Sequence, residues 1–319
     1  MRVLASLVLL LAGLRVGAAQ DLEAGIRLYE RGEFQQAVDF FLPVTRAFPD
    51  SGDLRLWLAK SYLKLQKWDD AVRELERAVR INPANGMYHL WLGRAYGRKA
   101  EHVSFVSAFG WARKTLREFE IAVMVAPDNI GARFDLLEFY LEAPGIVGGG
   151  RDKAESQARE IARLSPRLGY AARARLLKKE KKWEAAAQEL IRATVNFPRE
   201  PESFGDLAEF QLERADYAAA AESARRGLAL NRNLARARLV SAAAQAKLAD
   251  NLPRAVDMLK GLAQGPLTDD DPPFQTVYYW LGQAYLAQGQ KLLAREAFEK
   301  ALRFDPDCAK ARSGLSATR

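Results

Sequence analysis

Six charged side chains fall in pairs at a spacing that lets helical neighbours act together. Lys60 and Lys64, then Arg94 and Arg98, are cations four residues apart, and Glu138 and Glu142 repeat the interval with opposite sign. On a helix each pair shares a face. Together they suit ionic capture on a surface that is basic toward its N-terminal half and acidic beyond, where Glu209 and Glu213 follow. Paired carboxylates also serve glycoside hydrolysis, but helical glutamates at this interval are ordinary ion-pair residues. A serine-hydrolase elbow, a zinc-protease helix and a cysteine dyad are absent, and His89 and His102 are the two histidines. General-base chemistry and a metal site therefore lack their groups. The chain reads as non-catalytic, with no cofactor.

These pairs need helices to carry them, and the sequence supplies a ladder of helices. A proline that closes a helical stretch is preceded twelve residues earlier by alanine: Ala37 and Pro49, Ala71 and Pro83, Ala154 and Pro166, Ala186 and Pro198, Ala294 and Pro306. Proline cannot continue a helix, and a methyl side chain lets two helices approach closely, so the fixed separation marks one helix built repeatedly. Phe41, Leu75, Phe119, Leu190 and Phe298 stand eight residues before their prolines, on the same face. Upstream runs a second helix, seen in Leu58-Ala59-Lys60-Ser61-Tyr62, Leu92-Gly93-Arg94-Ala95-Tyr96, Leu136-Leu137-Glu138-Phe139-Tyr140 and Leu281-Gly282-Gln283-Ala284-Tyr285. The steps from Pro49 to Pro83 and from Pro198 to Arg232 are both 34 residues.

At these residues the chain resembles the tetratricopeptide repeat family, over roughly residues 20 to 306. The resemblance implies an all-α fold, a right-handed α-solenoid of about eight helix-turn-helix repeats spanning residues 20–308, with 309–319 as a short C-terminal cap or tail. It also implies that first helices of successive repeats line a concave groove. Lys60, Lys64, Arg94, Arg98, Glu138 and Glu142 would project into that groove and receive a protein partner with an acidic segment. The alternative is that Arg94 and Arg98 pair with Glu138 and Glu142 across the stack. Some family members clamp a terminal carboxylate with lysine, arginine and asparagine; this groove offers the cations without the asparagine.

The spacing stretches twice. From Pro83 to Pro127 the step is 44 residues and from Pro127 to Pro166 it is 39, which places insertions near 99–111 and 143–152. Insertions of this kind map to loops, often on the binding face. The first is apolar for a connection, and Phe105, Phe109 and Trp111 either fold back onto the helices or wait for a partner. The second, Gly148-Gly149-Gly150-Arg151-Asp152-Lys153, offers backbone N–H groups and cations to an anion. The other reading makes Asp152 and Glu155 a capping box. Lys178–Lys182 reads as a solvated corner and Thr268–Pro273 as a linker without the donor pattern of a calcium loop.

Residues 1–19 read as a signal peptide: Arg2, an apolar run from Val3 to Leu14, then Gly17-Ala18-Ala19. Cleavage before Gln20 gives a periplasmic or secreted protein without a transmembrane segment; an uncleaved leader makes it a membrane-anchored envelope or polysaccharide-export assembly factor. The absence of an Asn-x-Ser/Thr sequon favours a bacterial route. Cys308, the single cysteine, forms no intrachain disulfide. The net charge of +8 suits acidic partners, and no nucleic-acid motif is present. A weak cap after the last repeat leaves room for a homo-oligomer.

Overall fold

The computed structural model describes residues 22–318, so the expected leader at residues 1–19 lies outside the described residues. Within that range the chain is all helical, an α-helical repeat solenoid, and its contacts divide it into two compact units, up to Gln157 and from Ala158 onward. The first unit holds α1 (residues 22–30), α2 (Phe34–Ala47), α3 (Gly52–Lys64), α4 (Trp68–Ile81), α5 (Gly86–Glu101), α6 (Phe105–Val125), α7 (Ile130–Glu142) and a 3-10 turn at Gly145–Val147. The division falls within α8 (Arg151–Leu164). The second unit continues with α9 (Pro166–Lys179), α10 (Trp183–Asn196), α11 (Pro201–Glu213), α12 (Tyr217–Leu230), α13 (Ala235–Leu248), α14 (Leu252–Gln264), α15 (Phe274–Ala287), α16 (Lys291–Phe304) and α17 (Ala309–Ser316).

Each element starts and stops for a local reason. The first helices of repeats two to five are capped by Ser51, Asn85, Asn129 and Ser165, whose side chains accept from N–H groups two or three residues on. In six repeats the corner turns on a residue of positive φ. Gly32, Gln66, Lys181, Ala215, Ala249 and Gly289 occupy it, with φ between 54° and 75°.

The alanine ladder is the seam. Ala37, Ala71, Ala154, Ala186, Ala220, Ala255 and Ala294 are all fully buried, and Thr115, which replaces one rung, is buried too. Large residues enter gaps left by small ones. A Cβ on Gly93 would lie 2.5 Å from the Phe119 ring, and one on Gly282 would lie 2.5 Å from the Phe298 ring, so glycine is what admits these phenylalanines. The chain ends on α17, which tucks Ala311 and Gly314 inward and keeps Lys310, Arg312 and Ser313 exposed.

The first insertion is helical, contrary to the loop expected from sequence. Helix α4 begins at Trp68, three residues before Ala71, whereas α6 begins at Phe105, ten before Thr115. Helix α3 ends two residues after Tyr62, and α5 ends five after Tyr96. The ten added residues therefore lengthen one hairpin, seven on α6 and three on α5. Backbone hydrogen bonding explains the choice, because a helix satisfies its own polar groups whereas an apolar loop of that length would need partners for them.

Candidate functional site

The first helices of the first unit carry a ladder of cations on aromatic rings. Lys60 Nζ lies 3.4 Å from the centre of the Trp57 ring, 4.8 Å from Trp91 and 5.0 Å from Tyr29. Lys64 Nζ is 5.7 Å from Tyr29, and the Arg94 guanidinium stacks 4.6 Å over Trp91. Arg94 Nε then donates to Asp135 Oδ2 at 2.5 Å. One stripe thus runs through α1, α3, α5 and α7.

This geometry revises the charged groove read from sequence. Lys60 is 5% exposed and sits in a three-ring box, so its ammonium is drawn to ring faces and not held out on a flexible stem. Arg94 takes Asp135, and Arg98 takes the exposed Glu101 at 2.9 Å, so neither is matched to Glu138 or Glu142 in the expected cross-stack register. Glu138 is half-buried and Glu142 exposed on α7. In the second unit, Glu209 accepts from Arg236, Glu213 from Lys178, and Asp206 lies between Arg167 at 2.9 Å and Arg236 at 3.1 Å. Burial pushes the Asp206 carboxyl above its ordinary range against the pull of both guanidiniums. Acidic side chains there are tied down by neighbours.

One polar group in the stripe lacks a partner. Among the described residues Trp91 Nε1 is buried without a hydrogen-bond partner. A buried unsatisfied donor costs about 1–3 kcal/mol.

The apolar insertion splits between both readings of it. Trp111 packs on Tyr96 at 5.4 Å between rings and carries the ammonium groups of Lys99 and Lys114 at 4.2 and 4.4 Å. His102 lies against Trp68, 5.0 Å between rings, and Lys99 pairs with Asp69, so the lengthened hairpin leans on the preceding repeat. Phe109 is half-buried and packs edge-on against Phe105, which is 78% exposed, as is its neighbour Val106 at 81%.

The glycine segment does not form the anion nest. The N–H groups of Gly148, Gly149 and Gly150 are spent on the carbonyls of Gly145, Pro144 and Tyr140, and Lys153 Nζ donates to Gly148 O. The capping-box reading also fails. Helix α8 starts at Arg151, with Ala154 N bonded to Gly150 O, so Asp152 lies inside the first turn and Glu155 pairs with Arg151 at 2.8 Å. Lys178–Lys182 is a corner laced by Lys182–Glu180, and Asp271 receives both polar groups of Thr268 in the linker.

A second ladder escaped the sequence reading. Six residues after a repeat-closing proline, a basic side chain reaches back to the proline carbonyl. Arg55 donates to Pro49 O at 2.7 Å, Arg133 to Pro127 O at 2.8 Å and Arg312 to Pro306 O at 2.5 Å, while His89 Nε2 lies 2.9 Å from Pro83 O. Three of them go on to the second helix: Arg55 to Glu74, His89 to Glu118, Arg133 to Gln157. The interval from proline to basic residue was the available signal. It also explains His89 without a metal.

Family models described as tetratricopeptide repeat match residues 28–94 and 275–308. The chain carries tetratricopeptide repeats at these residues. Its fold is similar to that of yeast Tom70, with a TM-score of 0.62 and 16% identity over 94% of this chain, which spans 63% of the Tom70 chain. Weaker matches include a tetratricopeptide repeat protein from Parabacteroides merdae, with a TM-score of 0.47 and 14% identity over 94% of this chain and 98% of that one. Another comes from Thermus thermophilus, with a TM-score of 0.47 and 19% identity over 71% and 98%. Tetratricopeptide repeats support a protein–protein interaction scaffold, a role that is generally non-catalytic. Among the described residues no helix is long and apolar enough to cross a membrane.

Proposed function

We propose that this scaffold works in the bacterial cell envelope, exported behind residues 1–19, and takes a partner segment along α1, α3, α5 and α7. The observation that carries the reading is the unpaired Trp91 Nε1–H within a stripe of rings and cations. Such a stripe prefers a segment that brings acceptors, carbonyl or carboxylate, together with apolar side chains. A carboxylate gains most there, because desolvated donors bind it more strongly than water-exposed ones do.

Crosslinking in the native envelope followed by mass spectrometry tests it, with the photoreactive group at Lys64. The expected result is one reproducible partner whose yield drops in Trp91→Phe, which keeps the ring and removes the donor. An equal yield from Trp91→Phe and the unaltered chain, or no crosslink at all, refutes groove binding. The N-terminal residue of the envelope form reads the export proposal separately: Gln20 supports cleavage, Met1 supports an anchor.

A further inference from the structure

We propose that the lengthened end of the α5–α6 hairpin is a membrane-surface contact that seats in an anionic lipid interface. Phe105, Phe109, Arg113 and Arg117 follow at four-residue intervals along α6, with Val106 on the same exposed side. The face is therefore segregated along its length, apolar at the tip and basic behind it. Phe105 and Val106 are 78% and 81% exposed, and Phe105 packs edge-on against Phe109 with 4.8 Å between ring centres.

Acidic side chains near the tip are already engaged. Glu101 holds Arg98, Glu118 faces His89, and Glu120 accepts from the Tyr140 hydroxyl. Arg113 and Arg117 are exposed and give the face its sign. At 1.5 Å per residue, Arg113 stands about 6 Å behind Phe109 and Arg117 about 12 Å behind. The headgroup layer beside the hydrocarbon core is roughly 5–8 Å deep. With the tip at the acyl boundary, Arg113 reaches the phosphates, so apolar insertion and attraction to anionic headgroups act together.

The size of the apolar surface favours a bilayer over a protein. A stable protein contact recruits roughly 20–30 residues per side, whereas the tip offers three apolar side chains at the end of a hairpin. A bilayer needs no complementary pocket. This surface is separate from the stripe on α1, α3, α5 and α7 and does not depend on the groove.

An environment-sensitive fluorophore on Val106→Cys, in a Cys308→Ser background of the full chain, reads the tip directly whatever the N-terminal segment does. Vesicles of phosphatidylcholine containing phosphatidylglycerol should shift its emission to the blue, and pure phosphatidylcholine vesicles should not. The same label on Leu292→Cys, 80% exposed in the second unit, should stay unchanged. Arg113→Glu/Arg117→Glu should abolish the shift, and Phe105→Ser alone should raise the lipid concentration at half-shift by about tenfold. No shift with anionic vesicles overturns the proposal, as does an equal shift on both vesicle types. A shift that appears without lipid and grows with protein concentration makes the tip a protein contact and overturns it as well.

Discussion

Reversing Arg94 to glutamate tests whether the charged stripe is an internal structure or an open receptor. Arg94 is one-third exposed and Asp135 one-quarter, with Nε and Oδ2 2.5 Å apart and the guanidinium over Trp91. Loss of a partly exposed pair costs up to about 1 kcal/mol. The stacked cation contributes about 0.5–1 kcal/mol more. The introduced carboxylate would repel Asp135 by about 1 kcal/mol or somewhat more at surface-like dielectric. Arg94→Glu should thus cost about 2–3 kcal/mol and lower the melting point of the first unit by roughly 4–10 °C. The swap Arg94→Glu/Asp135→Arg restores the pair but leaves Trp91 without its cation, so all but about 0.5–1 kcal/mol should return. Circular-dichroism melts of the two single variants and the swap supply the comparison. A swap that melts no higher than Arg94→Glu alone would show that the two side chains are not coupled in solution. Crosslink yield adds the second half: a swap that refolds yet still fails to capture its partner assigns the order of charges to recognition.

Three other predictions concern the frame. Gly93→Ala drives a Cβ to 2.5 Å from Phe119 and should destabilise by about 1–2 kcal/mol in urea melts despite alanine's better helix propensity; adding Phe119→Leu should recover it, since Ala59 and Leu75 share one cluster in the preceding repeat. Ala215→Gly relieves a left-handed residue at φ 60° and should raise stability by about 0.5–1 kcal/mol, read as a higher thermal midpoint. Burial first, and then hydrogen bonds to Glu76 and Glu120, push the Tyr96 and Tyr140 hydroxyls above their ordinary value of 10.0. Because the folded values are raised, their stabilisation is complete below about pH 10 and is lost as the pH climbs above it; Tyr96→Phe/Tyr140→Phe should flatten that alkaline fall at a cost of about 1 kcal/mol per hydrogen bond at neutral pH.

The frame was legible because it is periodic. Alanine twelve residues before proline recurs often enough to be seen without contacts, and every such alanine is buried. The site was less legible because its charges are spent across helices. Nothing in the interval between Arg94 and Arg98 shows that Arg94 turns to Asp135 on α7. The rings that box Lys60 lie on three different helices, so no local pattern marks them. The insertion misled for a related reason. A stretch with glycine, serine and phenylalanine reads as a connection, but its hydrogen-bonding needs are met more simply by continuing two helices that already exist.

The proline latches bear on how the molecule would respond to force. A chain of helix pairs bends most readily where one pair hands over to the next, and at Pro49, Pro83 and Pro127 a side chain from the following helix bridges that joint. Two of these bridges extend to the carboxyl groups of Glu74 and Glu118. Under tension three successive joints of the first unit should act as stiff links, so extension there would come in discrete steps as each bridge lets go and not as a smooth uncoiling.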